Sequence, residues 1–116
     1  MSRINYTKYG VSKNRYQELS AFVRQYGEFE KKHKEIINGT GRVENCAVNA
    51  ADIKSNMELI EACLDRACSD VPMLKPYLFK NVTEGTSYNQ MQVPFYERGF
   101  LNRRKLFFIE LNKHKK

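Results

Sequence analysis

The sequence predicts an all-α fold, a small helical domain that ends in a helix-turn-helix. Apolar residues recur at steps of three and four in stretches beginning near Ser12, Ala51 and Pro94, the spacing of a single helix face. Sustained two-residue alternation, the mark of a half-buried strand, is missing, and only a stray extended piece near Ile4 is expected besides helices. Serine, proline and glycine stand where the helical stretches begin and end. With 116 residues and 41% hydrophobic content, the chain is long enough to bury one core.

The first element is SKNRYQELSAFVRQYGEFEKKHKEI, in which Tyr16, Leu19, Phe22, Val23, Tyr26 and Phe29 form one apolar face. The Ser12 hydroxyl is placed to accept from a free amide of the first turn. Gly27 is where this helix is expected to bend, or to weaken by about 1 kcal/mol relative to Ala. Lys13, Asn14 and Arg15 fall in the first turn, where cations oppose the helix dipole. They read as secondary phosphate contacts, with plain sequence noise as the alternative. The glycines and small polar residues of NGTGRVENCAVNAAD then mark a loop. The chain thus divides into a basic N-terminal helix region over 1–37, a loop over 38–50, and a helical core over 51–116 that carries the C-terminal helix-turn-helix.

A middle helix is expected over about 51–69, where Ile53, Met57, Ile60, Leu64, Ala67 and Val71 step by four and three. Such a seam is a packing face, within the chain or across a dimer. Glu58, Glu61 and Asp65 cover its other faces, so this helix points away from any nucleic acid. A third helix follows, with Pro72 suited to its first turn, Pro76 tolerated close behind, and Gly85 as its C-terminal cap. Its apolar side is Leu74, Tyr77, Leu78 and Val82. Ser87 then caps a short helical turn, SYNQMQ, and Val93-Pro94 opens the last and longest helix.

Rotating that last helix by 100° per residue gathers Tyr96, Phe100, Leu101, Phe107, Phe108 and Leu111 on a core-facing arc. Arg98, Asn102 and Lys105 lie opposite, in one exposed row, with Arg103 on a flank. Arginine can pair with guanine edges, asparagine with adenine edges, and lysine suits phosphate, so the row carries the donors of a groove-reading helix. The plain alternative is a solvated basic face. Ser87, Tyr88 and Asn89 are placed to hold phosphate ahead of it. Arg104 falls inside the apolar arc and is expected to snorkel or pair with an acid. Leu106 and Ile109 sit on the otherwise polar side and read as a contact to the N-terminal helix or to a second subunit. The basic tail NKHKK adds nonspecific phosphate attraction.

Charge is segregated. Residues 1–34 hold eight Lys/Arg against three acids, 35–85 five against eight, and 86–116 seven against two, giving +7 overall. Two basic ends around an acidic middle fit a nucleic-acid footprint better than a uniform solubilising coat does. Cys46, Cys63 and Cys68 have no metal-ligand spacing, so no metal and no other cofactor is expected, and the thiols read as reduced and structural. Phosphate-binding glycine loops, nucleophile elbows and HExxH are missing, which argues against an enzyme. No apolar run is long enough for a membrane span or a secretory signal, so no membrane partner is expected.

Three stretches, YGVSKNRYQELSAFVRQYGEF, MELIEACLDRA, and YLFKNVTEGTSY leading into VPFYERGFLNRRKLFFIEL, resemble the prophage-encoded ArpU/RinA-like late transcription regulators of Gram-positive bacteria. The likeness spans most of the chain and falls on Thr83, Glu84, Gly85, Ser87, Tyr88, Pro94, Arg103, Arg104, Lys105, Phe107 and Phe108. It implies a sigma-region-4-like helix-turn-helix factor that switches on phage late or packaging genes. The implied partners are double-stranded DNA and host RNA polymerase or another host protein, in the cytoplasm of the host bacterial cell. The chain departs from the pattern at Gly99, which interrupts the final helix, and in a short segment between Tyr88 and Pro94. A homodimer suits two-fold DNA sites and could use the middle seam. Two other roles stay open: a protein-binding inhibitor or adaptor of the anti-CRISPR kind that uses Leu106 and Ile109, and a terminase-small-subunit-like packaging protein.

Overall fold

A computed structural model describes residues 11–37 and 46–115, and among them every regular element is helical. The expected extended piece at Ile4 and most of the expected loop lie outside the described residues.

Helix α1 spans Lys13–Arg24. Ser12 caps it as its position predicts: the backbone there is extended, and Ser12 Oγ accepts from the Arg15 amide at 3.1 Å. The helix breaks at Gln25, not at Gly27. The Gln25 amide donates to the Phe22 carbonyl three residues back at 3.2 Å, which tightens the last turn, and α2 (Tyr26–Ile37) starts at once. Beside this break Tyr26 is buried, with its ring edge-on to Phe79 at 4.8 Å. Gly27 faces open space.

Helix α3, Cys46–Ala67, begins five residues before the expected start and takes in the end of the expected loop. Its seam is buried only in its second half: Ile60, Leu64 and Ala67 are covered, whereas Ile53 and Met57 are half-buried. Cys63 and Cys68 share that buried half as free thiols. Burial pushes both up to about 11, outweighing the neighbouring guanidinium groups of Arg66 and Arg103 that act the other way.

A 3-10 turn over Pro72–Leu74 leads into α4, Lys75–Glu84, with Pro76 in its first turn. Gly85 ends α4 in the left-handed region at φ 78°, where its lack of a Cβ matters. The Gly85 amide donates to the Asn81 carbonyl at 3.1 Å and the Thr86 amide to the Lys80 carbonyl at 3.4 Å, which closes the helix end.

SYNQMQ forms a single 3-10 turn, Tyr88–Gln90, held by the Ser87 amide donating to Gln90 Oε1 at 2.8 Å. Helix α5 then runs over Glu97–His114, starting after Tyr96 and not at Pro94. Tyr96 is extended, with φ −72° and ψ 148°, so helical geometry begins only at Glu97, and the Tyr88 hydroxyl donates to the Phe95 carbonyl, holding the approach in place. At 18 residues α5 is shorter than α3, which has 22.

Phe100, Phe107, Phe108 and Leu111 of α5 are fully buried in one cluster with Leu19 and Val23 of α1, Ile60 and Leu64 of α3, and Leu78 and Val82 of α4. Helix α1 packs on α4 and α5, α2 lies along α3, and α3 covers α5. The Tyr16 ring meets Phe108 edge-on at 5.0 Å. Removing any one of the three α5 phenylalanines would cost about 3–5 kcal/mol by the usual large-to-small scale. The core therefore fixes which side of α5 faces solvent.

Candidate nucleic-acid interface

With Phe100, Phe107, Phe108 and Leu111 turned inward, Arg98 and Asn102 come to the surface on successive turns of α5. Both are exposed, and among the described residues neither has a hydrogen-bond or ion-pair partner. Lys105 continues the row in sequence, but it is half-buried and already engaged within the protein. The open part of the row is thus its first two residues, at the N-terminal end of the helix.

Other cations near the row are taken up by the fold. Arg103 forms a two-pronged ion pair with Asp70, in the turn after α3, with its Nε 3.2 Å from Asp70 Oδ1, and its guanidinium lies over the Phe95 ring at 5.8 Å. Arg104 donates from Nε to Asn81 Oδ1 at 2.9 Å and stacks over Phe108 and Tyr16 at 5.0 and 5.5 Å. The partner of Arg104 is an amide, not an acid, and Asn81 in turn donates to the Thr86 carbonyl at 2.9 Å. One side chain therefore ties the end of α4 to α5.

At the far end of α5 the basic residues are also occupied. Burial alone would raise the Glu110 carboxyl, but the Lys113 hydrogen bond and the charges of Lys113, Arg66 and His114 hold it below its ordinary range. Lys113 sits 3.3 Å and Arg66 3.5 Å from that carboxylate, and Lys115 lies over the Phe22 ring. Arg15, in the first turn of α1, reaches the same end: its Nε donates to Asn112 Oδ1 at 2.8 Å and its Nη2 to the Lys115 carbonyl. A cation unfavourable for the dipole of α1 is favourable at the C-terminus of α5. Lys13 and Asn14 beside it remain exposed.

Ser87 and Asn89 are exposed, while Tyr88 is half-buried against Phe100 and spends its hydroxyl on Phe95. Leu106 is 40% exposed, but Ile109 is half-buried, so the two do not form a broad apolar patch. Tyr96 departs furthest from expectation. The helical rotation puts it in the core, yet it is 64% exposed, because as the extended residue before α5 it does not follow the helical period. Gly99 departs too: it lies inside α5 without interrupting it, and it is buried beneath Phe95 and Tyr96, whose rings stack at 4.6 Å. Only the turn chemistry at Val93-Pro94 hints at this arrangement in the sequence.

Among the described residues, no group of three or more His, Cys, Asp or Glu side chains could hold a metal ion, and no helix is long and apolar enough to cross a membrane. The fold and the site define a small all-helical chain whose last helix presents an unpartnered arginine and asparagine to solvent. No protein-family model matches the chain, nor does any curated protein or solved structure.

Proposed function

We propose that the chain binds double-stranded DNA through the solvent face at the start of α5 and acts as a phage or prophage transcription regulator. The observation that carries this reading is the pair Arg98 and Asn102, exposed one turn apart, without partners, on a chain of net charge +7. Guanidinium and amide groups left unpaired on a rigid helix are the donors that read guanine and adenine edges in a major groove. The resemblance to ArpU/RinA-like regulators supports the same partner. In that geometry the Tyr88–Gln90 turn and α5 act as the two helices of a helix-turn-helix, the first reduced to a single 3-10 turn, with α4 leading into them. Ser87 and Asn89 then face the backbone.

A gel-shift series across salt concentrations with duplexes selected from random sequence tests the proposal. Arg98→Ala and Asn102→Ala are expected to lower sequence preference, each by about 1–3 kcal/mol against the wrong base. Arg103→Ala is expected to act through stability, because Arg103 is bound to Asp70. No salt-dependent binding to any duplex would sink the proposal. Capture of a protein partner that is lost on Leu106→Asp would favour a docking protein instead.

A further inference from the structure

We propose that Tyr96 is a sequence-independent anchor on the DNA, donating its phenol hydroxyl to a backbone phosphate beside the bases met by Arg98 and Asn102. The inference rests on the DNA-binding reading and adds to it a contact made by a neutral residue.

Tyr96 is 64% exposed, yet it is held in place. Its ring stacks on Phe95 with centroids 4.6 Å apart and planes 35° apart. Its hydroxyl-bearing carbon lies over Gly99, where a Cβ would approach it to 2.8 Å. Phe95 is fixed in turn, through its carbonyl by the Tyr88 hydroxyl and at its ring by Arg103, itself tied to Asp70. Gly99 is therefore a slot, and any larger residue there would push both rings off the helix.

The Tyr96 hydroxyl, unlike that of Tyr88, has no hydrogen-bond partner among the described residues. A fixed tyrosine offers a large contact area at little entropic cost on binding. Helix geometry places it beside the reading pair, since Gly99 and Asn102 are three apart and adjoin on the helix surface. Most protein–DNA hydrogen bonds go to phosphate and sugar, and tyrosine is among their donors. A ring standing at the edge of the row meets the flanking backbone while the guanidinium and amide enter the groove.

The test compares the parent chain with Tyr96→Phe, Gly99→Ala and Arg98→Ala on a selected duplex and a random duplex across a salt series. Tyr96→Phe is expected to weaken binding to both duplexes equally, by about tenfold, the scale of one hydrogen bond to a charged group. Its salt slope should match the parent's, because a neutral donor releases no counterion, whereas Arg98→Ala should weaken the selected duplex more than the random one. Gly99→Ala should reproduce the uniform loss, and Tyr96→Phe should melt at the parent's temperature. Parent-like affinity of Tyr96→Phe, or a loss confined to the selected duplex, overturns the phosphate contact alone. A parent that binds neither duplex overturns the DNA reading and this contact together.

Discussion

Replacing Asn81 by alanine is expected to loosen the joint between α4 and α5. The amide makes two hydrogen bonds of 2.9 Å, one from Arg104 Nε and one to the Thr86 carbonyl, so both sides of the joint lose a partner at once. Each bond contributes about 1 kcal/mol net. Arg104 is half-buried and keeps its stacking on Phe108 and Tyr16, so water can reach it and no full buried-charge penalty follows. The expected loss is about 2 kcal/mol, or a fall in Tm of about 10 °C for a domain near this size. Urea titration measures it directly, with the midpoint falling and the m-value unchanged. A cycle with Arg104→Ala should return a coupling of about 1 kcal/mol. A loss under about 0.5 kcal/mol, or strict additivity in the cycle, would refute the assignment of Asn81 as the tie.

Gly85→Ala should cost about 1–2 kcal/mol in the same titration, because φ 78° is left-handed and the Arg24 guanidinium occupies the space a Cβ would take. Cys63 and Cys68 should resist iodoacetamide at pH 8 in the native protein and react in urea, with each site followed by mass spectrometry; rapid native labelling of either would contradict their burial. Their raised values also set a sign: stability is fully present below pH 9.0 and falls as pH rises towards 11, since only the unfolded thiols ionise in that window. Glu110 works the opposite way. Its stabilisation is present above the ordinary value of 4.5 and is lost as pH falls through its lower folded value, so Glu110→Gln should flatten the acid limb of the urea midpoint, by less than about 1 kcal/mol for an exposed cluster.

Local chemistry made some elements legible. Ser12 and Gly85 act where they stand, one by accepting a first-turn amide and the other by taking a left-handed φ, and neither needs a distant partner to be recognised. The buried half of the α3 seam and the phenylalanines of α5 follow from periodicity for the same reason. Expectation and structure part where the chain leaves the helical period or where a partner is remote. Tyr96 could be put in the core only by treating Pro94 as the start of α5. Arg103 and Asp70 are 33 residues apart, so nothing local shows that this guanidinium is committed. The break falls at Gln25, next to Tyr26, which packs on Phe79 of another helix, and not at the nearby glycine.

Arg15 has a bearing on how the chain is made. It grips Asn112, 97 residues further along, so the first helix meets this partner only after all the intervening helices have been made. At about 5–20 residues per second, the delay between the two is about 5–20 s. A lone helix of 12 residues is marginal in water, and the apolar stripe of Leu19 and Val23 is not fully covered until α4 and α5 have left the ribosome. The nascent chain thus makes α2 and α3 with that stripe still partly open to chaperones and proteases, and a chain cut short before Phe100 would lack residues that bury it.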